Sequence, residues 1–88
     1  MSLSEALYRD RVIQVGLNVA HYRKLRNLTQ NELAEKADLS RTIIAMIEAP
    51  DVVKSFSFRT LFKISEALDI DASKLFEFRT FRDEKPSN

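Results

Sequence analysis

The sequence predicts an all-α fold, on three observations. Its 88 residues include one glycine and two prolines, whereas a strand-rich chain needs many tight turns built from those residues. Apolar residues recur at spacings of three and four over most of the chain, the period of a helix with one buried face. Helix starts are marked at Thr29, Ser40, Ser57 and Asp71, each a short oxygen-bearing side chain placed to accept an orphan backbone N–H.

The first segment is expected to be helical from about Ser4 to Asn27, with Val15, Val19 and Tyr22 on one face. Gly16 lies inside it, where it weakens the helix by about 1 kcal/mol relative to alanine or else lets another helix approach closely. Upstream, Leu3, Leu7 and the capping-box pattern Ser2-Leu3-Ser4-Glu5 fit either a separate arm or a continuation of the same helix. The second helix has the best-marked start: Thr29 caps it and Glu32 reaches back as the partner in a capping box. Leu33, Ala34 and Ala37 face inward, and the helix ends near Asp38. Ser40 caps a third helix with Ile44 and Ile47 inward, which Pro50 stops. A loop from Asp51 to Phe56 leads to a fourth helix capped by Ser57, with Phe58, Leu61, Ile64, Ser65 and Leu68 on its inner face. Asp71 caps a single-turn fifth helix through Leu75 and Phe76. From Phe76 to Phe81 the pattern alternates with a period of two, suiting a strand or an extended arm, and the tail from Asp83 to Asn88 reads as disordered. Residues 1–14 thus form an arm or helix extension, 15–76 the domain, and 77–88 a C-terminal arm and tail.

Composition narrows the function. A chain that is 44% hydrophobic and 31% charged is globular, and at this length it is marginal enough to favour help from a second copy of itself. With no cysteine and one histidine, His21, there is neither a disulfide framework nor a metal cage, and His21 is expected to be a surface residue. No cofactor and no catalytic constellation are expected. Apolar runs fall far short of a membrane span and no leader pattern precedes the domain, so the expected location is the cytoplasm. The formal charge of +1 hides opposed segments: residues 1–27 carry +3, residues 28–51 carry −3 and residues 52–88 carry +1.

The run Thr29-Gln30-Asn31-Glu32-Leu33-Ala34-Glu35-Lys36-Ala37, followed by Asp38-Leu39-Ser40-Arg41-Thr42-Ile43-Ile44-Ala45-Met46-Ile47-Glu48, resembles the helix-turn-helix of the phage repressor and Cro family, also called the Xre family. The resemblance covers about Val15 to Phe76 and implies the family's five-helix plan. It also implies a sequence-specific regulator of transcription that binds double-stranded DNA, most simply a dimeric repressor on a palindromic site. The helix at 40–48 would then be the recognition helix. A helix entering the major groove by its N-terminal half reads base edges with the residues on its start and outer face, here Arg41, Thr42, Ala45 and Met46. Arg41 suits guanine O6 and N7, and Thr42 suits a base or phosphate. Gln30 is placed, as in the family, to contact phosphate and brace the recognition helix, with Thr29 beside it. Lys54 and Arg59 are further phosphate candidates. Arg23 and Glu48 match a pair that forms an internal salt bridge in some family members.

The sequence also departs from the family pattern. Asp38 stands where a glycine is common in the turn, and Ala49-Pro50 replaces the usual glycine-containing exit. Ile43 and Met46 occupy positions where the family tends to be polar. Both are expected to be exposed in the monomer, touching thymine methyls or covered by a protein partner. The second option defines an alternative: a protein-interaction or antitoxin-type module with Ile43 and Met46 facing its partner. All six phenylalanines follow Ser55. Of these, Phe76, Phe78 and Phe81 either extend the core or form the interface of a homodimer.

Overall fold

A computed structural model describes residues 2–51 and 55–78. It contains α1 (Ser2–Leu25), α2 (Gln30–Ala37), α3 (Arg41–Glu48) and α4 (Phe58–Leu68), followed by a 3-10 helix over Ala72–Phe76. The described residues contain no strand, and the fold class is all-α as expected. The expected fifth helix is the 3-10 turn, five residues long and capped by Asp71. Upstream of Val15, the chain continues α1 without a break.

The capping predictions locate the helix starts. The Thr29 hydroxyl accepts the Glu32 N–H at 3.0 Å while the Glu32 carboxylate accepts the Thr29 N–H at 2.8 Å, so two orphan donors are satisfied reciprocally. Ser40 and Ser57 accept from Ile43 and Thr60, both at 3.1 Å.

The helix ends share one device. Asn27, Asp38 and Asp69 take left-handed backbone conformations, with φ of 60°, 57° and 57°, a region that short polar side chains tolerate better than others. In each case the next residue, Leu28, Leu39 or Ile70, donates its N–H to the carbonyl five positions back, at 3.1, 2.9 and 3.1 Å. The same three residues pack against the core. This is the Schellman arrangement with its hydrophobic contact, built three times without glycine. In the helix-turn-helix it lets Asp38 do the work of the family's usual turn glycine.

The core joins all five elements. Val19 from α1, Leu33, Ala34 and Ala37 from α2, Ile44 and Ile47 from α3, Leu61, Ile64 and Leu68 from α4, and Leu75 from the 3-10 turn are all buried. Val15 and Tyr22 pack against this cluster from the same face of α1. Ser65 is also buried, its hydroxyl donating to the Phe62 carbonyl at 3.0 Å. Phe58 departs from the expected inner face of α4 and is 70% exposed. It is the first residue of its helix, so its ring projects past the edge of the core and stacks on Phe62 with centroids 6.0 Å apart.

Candidate nucleic-acid interface

Helix α3 is held by two contacts that fix its position and rotation. The first is steric. Gly16 lets the α3 backbone close against α1, because a Cβ at that position would collide with the carbonyl oxygen of Ile47 and lie 3.1 Å from its carbonyl carbon. The second is ionic. Arg23 grips Glu48 with two bonds, Nε to Oε2 at 2.7 Å and Nη2 to Oε1 at 2.9 Å, and its Nη1 donates to the Leu28 carbonyl at 2.8 Å. Gln30 Nε2 donates to the same Glu48 Oε1 at 3.0 Å.

The arrangement has an electrostatic logic. Glu48 is the last residue of α3, where a carboxylate faces the negative end of the helix dipole. Its side chain is only 7% exposed, so an unpaired charge there would be costly. Arg23 and Gln30 together occupy both of its oxygens, tying α1, α2 and α3 to one point. The hydrogen bond to Glu48 is the main reason the Arg23 pKa is raised, so the guanidinium stays charged throughout the range in which proteins fold.

At the opposite end, α3 presents its start to solvent. Arg41 and Thr42 are exposed in the first turn, behind the Ser40 cap, and that turn contains no carboxylate. Positive helix-end potential and a flexible guanidinium therefore coincide. Ala45 and Met46 continue the outward surface as half-buried residues. Ile43 is half-buried too, but it packs against the core. The expectation that Ile43 and Met46 stand exposed is therefore corrected: both are half-buried, and Ile43, within the first turn of α3, packs against the core.

Thr29 is exposed beside the start of α2, and accepting the Glu32 N–H leaves its hydroxyl a proton to donate. The Gln30 carboxamide likewise keeps a second amide proton after bonding Glu48. Arg59 is exposed in the first turn of α4. Lys54 and Phe81 lie outside the described residues. Phe76 is 39% exposed, and Phe78 is half-buried, packed edge-on to Phe76 with the Arg11 guanidinium 4.6 Å over its ring. His21 is exposed, its ring edge-on to Tyr22.

Four supporting side chains carry no motif signal in the sequence. Asn18 Nδ2 donates to the carbonyls of Leu75 and Glu77 at 3.0 and 2.9 Å, holding the chain after the 3-10 turn against α1. Arg26 donates to the carbonyls of Leu68 and Asp69 at 2.8 and 3.1 Å, closing the end of α4. The hydroxyls of Tyr8 and Ser55 meet at 3.0 Å, tying the early part of α1 to the segment entering α4.

Comparison with known proteins agrees with this geometry. The helix-turn-helix family model matches residues 19–75. Control protein C.SmaI of Serratia marcescens is 32% identical over 68 residues, spanning 77% of this chain and 79% of that protein. The crystal structure of the restriction-modification controller protein C.AhdI from Aeromonas hydrophila superposes with a TM-score of 0.68 at 26% identity, over 74% of this chain and 96% of that one. A chain of the SinR protein/SinI protein complex gives 0.67 at 26% identity, over 82% and 68%. The matched region takes in α2 and α3, the Arg23–Glu48 pair and the core of the domain; the chain belongs to the helix-turn-helix family of the phage repressor and Cro (Xre) type.

Proposed function

We propose that this protein is a sequence-specific regulator of transcription that binds double-stranded DNA, a dimeric repressor of the controller type, reading a palindrome through α3. The observation that carries this reading is the fixed pose of α3. Its far end is locked by Gly16 and the Arg23–Glu48–Gln30 network, while its capped start offers Arg41 and Thr42 to a groove. Arg41 pairs with a guanine edge, Thr42 bonds a base or phosphate, and Ala45 and Met46 supply apolar contact to thymine methyls. Thr29, Gln30, Lys54 and Arg59 hold the flanking phosphates and set the register.

An eight-residue recognition helix spans one half-site, and a two-fold partner brings a second about 34 Å away. Near-zero net charge makes that partner important, because salt-driven affinity of a monomer is small when few phosphates are neutralised. Phe76, with Phe78 and Phe81 after it, contributes to the dimer surface. The chain acts in the cytoplasm, by occupancy rather than catalysis. Packing of Ile43 on the core favours this reading over a partner-binding role for the Ile43 and Met46 face.

Arg41→Ala tests the assignment. Specific affinity is expected to fall and discrimination at one base pair to relax by about 1–3 kcal/mol. Unchanged affinity and specificity in a competition binding assay would remove α3 from the interface.

A further inference from the structure

The groove between the first half of α1 and the start of α4 is a cavity that the DNA interface does not use. Its volume of about 350 Å³ is within the range of pockets that hold small molecules. Gly16, Ile47 and Leu61 are its buried lining, and Phe58 and Phe76 stand exposed at its edge. Helix α1 closes it with Tyr8, Arg11 and Val12, spaced to share one face of the helix. These three precede residues 19–75, which the family model matches, so this wall is built from sequence outside the matched region.

The polar groups of this apolar groove are few, and they point to one kind of ligand. Among the described residues Arg11 has no carboxylate partner, and its guanidinium lies 4.6 Å over the Phe78 ring. The Tyr8 and Ser55 hydroxyls meet at 3.0 Å, and whichever of them accepts keeps its own proton to donate. The described lining has no acidic side chain. An unpaired cation and a spare hydroxyl proton beside an apolar cavity complement one carboxylate on an apolar body. We propose that the groove is a binding site for a small carboxylic acid with an apolar tail. The carboxylate takes Arg11 and the spare hydroxyl in charge-assisted hydrogen bonds, and the tail buries itself over Gly16 and between Phe58 and Phe76. A ligand so placed rests against the Gly16–Ile47 contact that fixes α3. The site is separate from the reading of DNA, since Arg41 and Thr42 do not line the groove.

The test is a titration of the native chain with octanoate, and with octan-1-ol as its uncharged counterpart, followed by amide NMR. Gly16 is the chain's one glycine, so its signal reports directly from the groove lining. Octanoate is expected to shift that signal saturably, and octan-1-ol to bind about tenfold or more weakly, for want of the charged hydrogen bonds. Arg11→Gln is expected to bring octanoate down to the level of octan-1-ol, with the native spectrum otherwise retained. Three results overturn the proposal: a Gly16 signal that octanoate does not move, octan-1-ol binding as tightly as octanoate, or an Arg11→Gln variant that binds octanoate as the native chain does. Phe76 also belongs to the proposed dimer surface, so the solution mass is measured across the titration. An unchanged mass is expected. Octanoate that moves the Gly16 signal only by splitting a dimer would overturn the proposal and give the groove to a second copy.

Discussion

Replacing Gly16 with alanine adds a single methyl group where α1 meets α3, and the effects on stability oppose one another. Helix propensity favours the change by about 1 kcal/mol. Packing opposes it, because the added carbon would overlap the Ile47 carbonyl oxygen and sit 3.1 Å from its carbonyl carbon and 3.5 Å from Glu48 Cα. All three are backbone atoms, so no side-chain rotation relieves the overlap and the helices must separate. Overpacking costs about 1–3 kcal/mol when side chains can adjust, and more when they cannot. Separation would also stretch Arg23 away from Glu48, whose two bonds are 2.7 and 2.9 Å long, and loosen Ile44 and Ile47 against Val19. The expected net loss is about 2 kcal/mol, which for a domain of this size lowers the melting temperature by roughly 10 °C. Thermal unfolding followed by circular dichroism measures it. A variant melting at or above the native temperature would refute the close-approach reasoning, since only the propensity gain would then remain.

Other perturbations probe the buried ion pair, the turn between α2 and α3, and the last helix cap. Glu48→Ala leaves the Arg23 guanidinium largely buried without its carboxylate and is expected to cost about 3–5 kcal/mol in chemical denaturation; a loss under about 1 kcal/mol would mean that water replaces Glu48 easily. Asp38→Gly is expected to stabilise by about 0.5–1 kcal/mol, because glycine adopts the left-handed conformation of that turn without a Cβ penalty, and a destabilised variant would show that the Asp38 side chain matters beyond its backbone. The Asp71 carboxyl is held below the usual range chiefly by the Ser73 N–H. Its contribution is therefore present above the unfolded-state value of about 3.9 and is lost as pH falls through the lower folded-state value; Asp71→Asn should flatten that portion of the acid unfolding profile, and an unaltered profile would contradict the cap.

What was legible in the sequence follows from how local each signal is. Caps are local: Thr29, Ser40, Ser57 and Asp71 each bond a backbone N–H two or three residues on, and all four sit where the sequence puts them. The inward stripes of α2 and α3 are equally local. Gly16 was legible as a pair of alternatives, and only the position of Ile47 decides that it marks a close helix approach. Signals that depend on a distant partner were not readable in advance. Asn18 bonds carbonyls 57 and 59 positions away, and Arg26 bonds carbonyls 42 and 43 positions away. Phe58 fits the inner stripe of α4 by spacing, but a stripe has no marker for where the core beneath it ends. Ile43 differs for the converse reason, since spacing alone does not show how far the packed seam extends around α3. The Asn27-Leu28, Asp38-Leu39 and Asp69-Ile70 pairs are a local signal for the helix ends: a short polar residue followed by an apolar one at a helix end marks the Schellman turn.

The central claim, that two copies of α3 read a palindromic duplex, is tested most directly by selecting bound sites from random double-stranded DNA with the native protein. Enrichment of a two-fold symmetric sequence whose half-sites are centred about one helical turn apart is expected. Recovery of no shared sequence, or of a single asymmetric site bound by a monomer, would contradict it.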